Sequence, residues 1–142
     1  MSMFSRFHDD FTMPRDPRAV FVFGSNMAGR HGAGAALAAT QHFGAAIGVG
    51  HGPTGRAYAI PTKDARLRVR AIEEIAADIQ AFRGYAESHP DLHFFVTRIG
   101  CGLAGYRNEQ IAPLFAGFPD NCSFSRNWQA WIPAPSTMEI SP

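Results

Sequence analysis

The chain has 142 residues, 46% of them hydrophobic, which is enough for one domain with a buried core. Its formal net charge of +1 argues against a protein held to nucleic acid by bulk electrostatics, although a local basic patch remains open. Two cysteines are too few for a disulfide scaffold, and neither a signal peptide nor a membrane span is evident. We therefore expect a cytoplasmic protein that needs no metal and no cofactor.

The predicted elements alternate between strands and helices. Residues 1–18 contain Pro14 and Pro17 and are predicted to be either a leader or one short edge strand. The predicted strands are apolar runs bounded by turn residues, at 19–23, 57–60 (stopped by Pro61), 92–96 and, as a last strand, 121–124 with 129–132. The predicted helices carry alanine-rich or amphipathic patterns, at 33–43, 69–88 and 108–118, the last with Asn108 as its N-cap.

This order predicts an α/β fold, a three-layer α/β/α sandwich around a mostly parallel mixed sheet. One domain would cover residues 19–132, with a loose C-terminal tail at 133–142. Ligands of such sheets bind outside the carboxyl ends of the strands.

Three glycine-rich loops interrupt the chain. The first glycine loop (residues 24–34) joins a predicted strand to a predicted helix, the second spans 44–55, and the third (residues 99–105, IGCGLAG) follows a strand. Glycine lets backbone N–H groups approach an anion, and a helix N-terminus adds unpaired donors. Because the first and third loops both follow strands, we expect their amides to converge on one phosphate-binding crevice, although neither the P-loop nor the dinucleotide fingerprint is present.

Several polar residues in these loops have two interpretations. Asn26 either contacts ligand hydroxyls or stabilises an Asx-type turn, and Arg30 and His31 either face a phosphate or are solvated, the solvated reading being favoured for His31 and for His51. Lys63 either acts at the crevice or pairs with Asp64 on the surface.

Cys101 could be a nucleophile, but a small buried thiol that fills the third loop is the favoured interpretation, because no histidine is near it in sequence. Four aromatic residues are expected in the core rather than in a nucleic-acid stacking platform: Phe94, Phe95, Trp128 and Trp131.

Three segments carry a resemblance to a known family: HGAGAA at 31–36, YAIPTK at 58–63 and RIGCGL at 98–103. Together they resemble the macro domains, which bind ADP-ribose, and look closest to the branch that includes the terminal ADP-ribose protein glycohydrolase. The likeness covers roughly residues 19–118, and the RIGCGL string is its most specific part.

The resemblance implies a site in which the first and third loops clamp the pyrophosphate and the distal ribose. It implies Lys63 as the catalytic nucleophile and Asp10 as the reader of adenine. The residues expected to contact ligand lie in or beside the loops: Gly24, Ser25, Asn26, Arg30, Gly32, Ala33, Gly34, Thr62, Arg98, Ile99, Gly100, Cys101, Gly102, Leu103, Ala104, Gly105 and Tyr106.

The chain departs from the family pattern at two positions. Ala104 stands where the branch has an aspartate that assists the chemistry, which argues for binding only and leaves Asp64 as the nearest substitute acid. Asp10 stands in the sequence HDDF instead of the usual Gly-Asp-hydrophobic context.

Three functions follow as hypotheses. The first is a module that binds ADP-ribose or a related NAD-derived nucleotide. The second is a hydrolase that uses Lys63 to remove ADP-ribose from a modified macromolecule, or a phosphatase of ADP-ribose 1″-phosphate. The third is a protein-interaction domain whose glycine loops are structural.

Overall fold

The computed structural model describes residues 4–133 and contains a six-stranded mixed sheet. The strands are β1 (Phe7–His8), β2 (Val20–Asn26), β3 (Gly52–Thr54), β4 (Ala57–Lys63), β5 (Phe94–Val96) and β6 (Cys122–Ser125). They lie in the order β1-β6-β5-β2-β4-β3, and each neighbouring pair is parallel except β3 with β4. The predicted α/β class with a mostly parallel sheet is confirmed.

Within residues 4–133, three helices accompany the sheet: α1 (Gly34–His42), α2 (Ile72–Ser88) and the short α3 (Asn108–Ile111), which continues as a 3-10 turn at Ala112–Phe115. A second 3-10 turn covers Arg126–Trp128. Most of the predicted tail, residues 134–142, lies outside the described residues.

The two longer helices belong to different core clusters. Along β2, Val20 and Val22 join the core cluster that contains α2, whereas Phe21 and Phe23 join the cluster that contains α1. This alternation follows from the period of two residues along a strand. The buried positions of α2 recur every three or four residues, as in an amphipathic helix, at Ile75, Ile79, Phe82 and Ala86.

The N-terminal segment is part of the sheet. β1 is its outer strand and pairs in parallel with β6, Phe7 opposite Phe124. The Arg6 guanidinium donates to the carbonyl oxygens of Pro119 and Cys122 at 2.7 and 2.8 Å. Of the two predictions for this segment, a leader or an edge strand, the edge strand is therefore the one found, and it is held against the C-terminal part of the chain.

Two predicted boundaries in the middle of the chain are wrong. β4 continues through Pro61, because pairing with β2 extends to Ser25↔Pro61 and Asn26↔Lys63 and the fixed φ of proline is compatible with extended backbone. The helix α2 begins at Ile72 instead of residue 69, since Arg70 donates its N–H to Thr62 and stays extended.

The C-terminal third differs from prediction in a similar way. Helix 108–118 is split, because Pro113 cannot donate an α-helical hydrogen bond. Its N-cap is Arg107, and the Asn108 side chain instead accepts hydrogen bonds from Arg98 and Trp128. The last strand covers only Cys122–Ser125; residues 129–132 form turns beside the buried Trp128.

A chain of neutral side chains links β1 to β5 and β6. His8 Nε2 lies 3.0 Å from the Val96 carbonyl and must donate to it, so Nδ1 accepts from Ser123 Oγ at 2.9 Å. The Ser123 hydroxyl proton is then committed, and His93 Nε2, at 2.7 Å, must donate to that oxygen. Burial lowers the pKa of both histidines to about 4.

These two histidines make stability depend on pH. Their pKa values are lower in the folded state than the usual 6.5, so the unfolded chain binds more protons between about pH 6.5 and 4. As the pH decreases from about 6.5 to 4, the free energy of unfolding is expected to fall by up to about 1.4 kcal/mol per pH unit for each histidine.

Urea denaturation at pH 7, 6 and 5 measures this slope. A His93→Gln variant keeps a donor toward Ser123 but cannot titrate, and should show a shallower fall. The exposed His42→Gln is the control and should retain the full slope. Equal stability of the unaltered protein at pH 7 and pH 5 would contradict the assignment.

Candidate functional site

A cavity of about 850 Å³ lies at the carboxyl ends of β1, β5, β2 and β4. The first and third glycine loops form part of its walls, and other segments of the chain form the rest. Most of the predicted contact residues line it: Gly24, Ser25, Asn26, Arg30, Gly32, Ala33, Gly34, Thr62, Lys63, Arg98, Ile99, Gly100, Cys101, Gly102, Leu103 and Ala104. Asp10 lines it as well, whereas Asp64, Gly105 and Tyr106 do not.

The first and third glycine loops meet because the strands before them are neighbours. β2 and β5 pair in parallel, with Val22 opposite Val96, so the chain leaves both strands at the same edge. At Gly24 an added Cβ would lie 3.5 Å from Gly100 N and 3.6 Å from Ile99 Cα. The two loops thus lie side by side at the base of the cavity, with room for about one methyl group between them at Gly24.

The Asn26 side chain closes the first loop upon itself. Its Nδ2 donates to the Arg30 carbonyl at 2.8 Å, and its Oδ1 accepts the Arg30 N–H at 3.0 Å. Asn26 is buried, so its amide is committed to the loop. Of the two sequence interpretations, the geometry matches the turn stabiliser.

His31 is buried, contrary to the solvated side chain that the sequence favoured. It is 5% exposed, its Nε2 lies 3.1 Å from the Val49 carbonyl, and its ring packs edge-on against Phe23. The second glycine loop folds over it, because Gly29 and Gly50 allow the two backbones to touch. His51 remains exposed, 3.2 Å from Asp78.

Many backbone N–H groups around the cavity are unused. Within residues 4–133, no hydrogen bond to protein involves the N–H of these cavity residues: Gly32, Ala33, Gly34, Gly100, Gly102, Leu103 and Ala104. The first three stand at or before the first turn of α1, where a helix leaves its donors unpaired. Such donors suit an anion that spans both loops.

Some charged side chains that line the cavity form ion pairs, and others do not. Asp9 pairs with Arg126 and Asp10 pairs with Arg98. Arg30 and Lys63 also line the cavity, and among the described residues neither has a side-chain ion pair or hydrogen bond. As far as residues 4–133 show, the cavity thus has two cationic side chains without a protein partner.

Neither Asp64 nor Cys101 is suited to a catalytic role. The Asp64 carboxylate accepts the N–H groups of Arg66 and Arg68 and pairs with the Arg68 guanidinium at 3.0 Å, so it caps a turn outside the cavity. Lys63 is not its partner. Burial raises the pKa of the Cys101 thiol, which favours the unreactive form.

Tyr106, predicted to contact ligand, instead donates its hydroxyl to the Arg70 carbonyl at 2.6 Å and packs against the core. The Gly105 N–H is bonded to the Gly102 carbonyl, closing the third loop. Both residues shape the loop from outside the cavity.

Sequence reasoning missed most of the N-terminal wall, namely His8, Asp9, Phe11, Thr12 and Met13. This wall depends on the pairing of β1 with β6, more than a hundred residues away, which no local pattern announces. Phe11 is fully exposed and has a left-handed backbone with φ of 60°, a strained conformation that often marks functional segments.

The part of the chain that the structure describes contains no cluster of side chains suited to a metal ion. No helix in that part has the length and apolar character required to cross a bilayer.

Comparison with known proteins gives a fold relationship alone. No protein-family model matches the chain, and no curated protein matches it. The structure is similar to that of a protein of unknown function from Bacteroides thetaiotaomicron, with a TM-score of 0.53 and 15% identity over 75% of this chain and 87% of that one. At this identity the similarity concerns the fold of the chain and carries no activity.

The contact between the first and second loops should be essential for stability. Gly29 has φ of 69°, and a Cβ added there would lie 2.3 Å from the Gly48 carbonyl carbon. Gly29→Ala is therefore expected to destabilise the fold by about 3 kcal/mol or more.

Gly84→Ala is the matched control, because Gly84 lies within α2, is exposed and has open space around it. That substitution should stabilise the protein by about 0.5–1 kcal/mol through helix propensity. Thermal and denaturant unfolding of both variants provide the comparison, and equal effects of the two would show that the loops are not packed as described.

Proposed function

We propose that the chain is a macro-like domain of three layers, α/β/α, that binds ADP-ribose or a related NAD-derived nucleotide between the first and third glycine loops. The observation that carries the proposal is the set of unused N–H groups from both loops on one cavity, together with the unpaired cations Arg30 and Lys63. Amides and cations stabilise a diphosphate far more than they stabilise an uncharged ligand.

The shape of the cavity favours a ligand with two arms. β1 and β4 are four strand spacings apart, about 19 Å, and the two amide loops follow β5 and β2 between them. A diphosphate over these loops would leave room for one group toward β1, beside the apolar Phe11 and Met13. A second group would extend toward β4, beside Lys63. A nucleoside diphosphate joined to a second sugar has this form.

Binding without turnover fits the acids of the cavity better than hydrolysis does. Ala104 has no proton to give, and the two carboxylates that line the cavity, Asp9 and Asp10, are paired with arginines. A leaving group would therefore find no free carboxylic acid among the residues that line the cavity.

Calorimetric titration with ADP-ribose tests the proposal, and Gly102→Val sharpens it. Gly102 lines the cavity, has ordinary backbone angles and has open space around it, so a larger side chain should fold normally but enter the ligand position. We expect binding by the unaltered protein and a loss of at least about tenfold in affinity for the variant, which corresponds to about 1.4 kcal/mol.

Gly84→Ala, on the far side of the molecule, should bind like the unaltered protein. No heat and no thermal shift at millimolar ADP-ribose would exclude nucleotide binding and would favour the protein-interaction hypothesis.

One observation favours a hydrolase as second candidate: Lys63 lines the cavity, and its side chain has no ion pair or hydrogen bond among the described residues. The neutral amine would add to the ribose carbon that bears the macromolecule or phosphate, the displaced group would leave, and water would then release the sugar. We expect any such turnover to be slow, because no free carboxylic acid lines the cavity.

Lys63→Ala separates the two candidates. If Lys63 reacts with the sugar, release of ADP-ribose from a modified protein should disappear in the variant while ADP-ribose affinity falls by no more than about tenfold. Arg66→Ala, an exposed cation of the adjacent turn, is the control for charge. Unchanged turnover in Lys63→Ala would remove Lys63 from the chemistry.

A further inference from the structure

The Asp10 carboxylate is the centre of a hydrogen-bond network behind the third glycine loop. Its Oδ1 accepts the Ser125 hydroxyl at 2.6 Å. Its Oδ2 accepts Arg98 Nε at 2.8 Å, Arg98 Nη2 at 2.7 Å and Asn127 Nδ2 at 3.0 Å. Burial raises the pKa of Asp10, but the hydrogen bonds from Ser125 and Arg98 outweigh it and hold the pKa below its usual value.

Arg98 connects this carboxylate to the residues that offer free amides. It directly precedes Ile99, the first residue of the third loop, and its carbonyl accepts the Cys101 N–H at 3.2 Å. Its other guanidinium nitrogen, Nη1, donates to Asn108 Oδ1 at 3.2 Å, an oxygen that also accepts Trp128 Nε1 at 2.9 Å. The guanidinium thus joins the N-terminal segment, α3 and the second 3-10 turn.

We infer that Asp10 is a positioning residue, which acts through Arg98 on the third glycine loop and does not read the base of the ligand. The inference rests on the proposed nucleotide site. It reassigns the one residue that sequence resemblance offered for adenine recognition.

The bonding capacity of the carboxylate supports this role. Oδ2 holds two donor groups, one of them a guanidinium in contact through two nitrogens, and Oδ1 faces Ser125. Oδ2 is fully occupied, so an adenine amino group could reach only the remaining lone pair of Oδ1, beside Ser125, unless the partly exposed, charge-assisted pair with Arg98 opened. The residue beside it that faces outward is the apolar Phe11, so this end of the cavity presents a surface for packing.

Two ligands distinguish a positioning residue from a base reader: ADP-ribose and inosine diphosphate ribose, which carries an oxygen in place of the amino group of adenine. With Asp10→Ala, we expect the affinity for each ligand to fall by at least about tenfold, because Arg98 and the third glycine loop lose the carboxylate that positions them. The two losses should agree within about twofold. Asp16→Asn, which removes an exposed ion pair with Arg18, is the control and should change neither affinity.

Other outcomes overturn the inference. If Asp10→Ala weakens ADP-ribose alone, Asp10 reads the base; if it weakens neither ligand, Asp10 has no role in the site. If the unaltered protein binds neither ligand, the proposed function itself fails, which is a different result.

A double-mutant cycle tests the route through Arg98. The double variant, Asp10→Ala with Arg98→Ala, should bind ADP-ribose at most about twofold more weakly than the more impaired single variant. Both substitutions break the same connection, so their effects should not multiply. Multiplied effects would show independent roles. Should the variants unfold, a crystal structure of the unaltered protein with ADP-ribose decides: Asp10 bonded to Arg98 supports the inference, and Asp10 bonded to the adenine amino group overturns it.

Discussion

The parallel pairing of β2 with both β5 and β4 is the constraint on which the site depends. β2 lies between β5 and β4, and these two partners leave the sheet at the same edge, Val96 beside Val22 and Lys63 beside Asn26. The first glycine loop consequently lies beside the third glycine loop and lines the same cavity as Lys63. An antiparallel partner at either position would place one of these groups at the opposite edge.

At this edge of the sheet, some polar groups are already paired within the protein, whereas others are free to bind a ligand. Asp10 and Arg98 neutralise each other behind the third loop, and the Asn26 amide is occupied within the first. The unused donors are mostly backbone amides, which carry partial charge and need no counterion when the cavity is empty. The formal charge of +1 is therefore compatible with the diphosphate site that we propose, which needs no basic surface.

Local sequence patterns were sufficient for the parts of the fold that rest on periodicity and composition. The apolar run of β2, the alternating faces of α2 and the glycine loops 24–34 and 99–105 could all be located in advance. Elements that depend on distant partners could not. The two residues of β1 are a strand only because β6 lies beside them, and β3 exists because Gly52–Thr54 folds against β4.

The same distinction applies to individual side chains. His31 and Asn26 both stand among glycines, yet His31 is buried under the second loop and Asn26 is bonded to Arg30, through contacts that composition does not encode. Arg98 and Asp10, 88 residues apart, form an ion pair that no motif predicts.

An amide-resolved NMR titration of the protein with ADP-ribose tests the shared anion site most directly. We expect the largest shifts at the free N–H groups of both loops together, at Gly32–Gly34 and at Gly100 and Gly102–Ala104. Shifts confined to one loop, or concentrated on another part of the surface, would contradict a single anion site shared by the two.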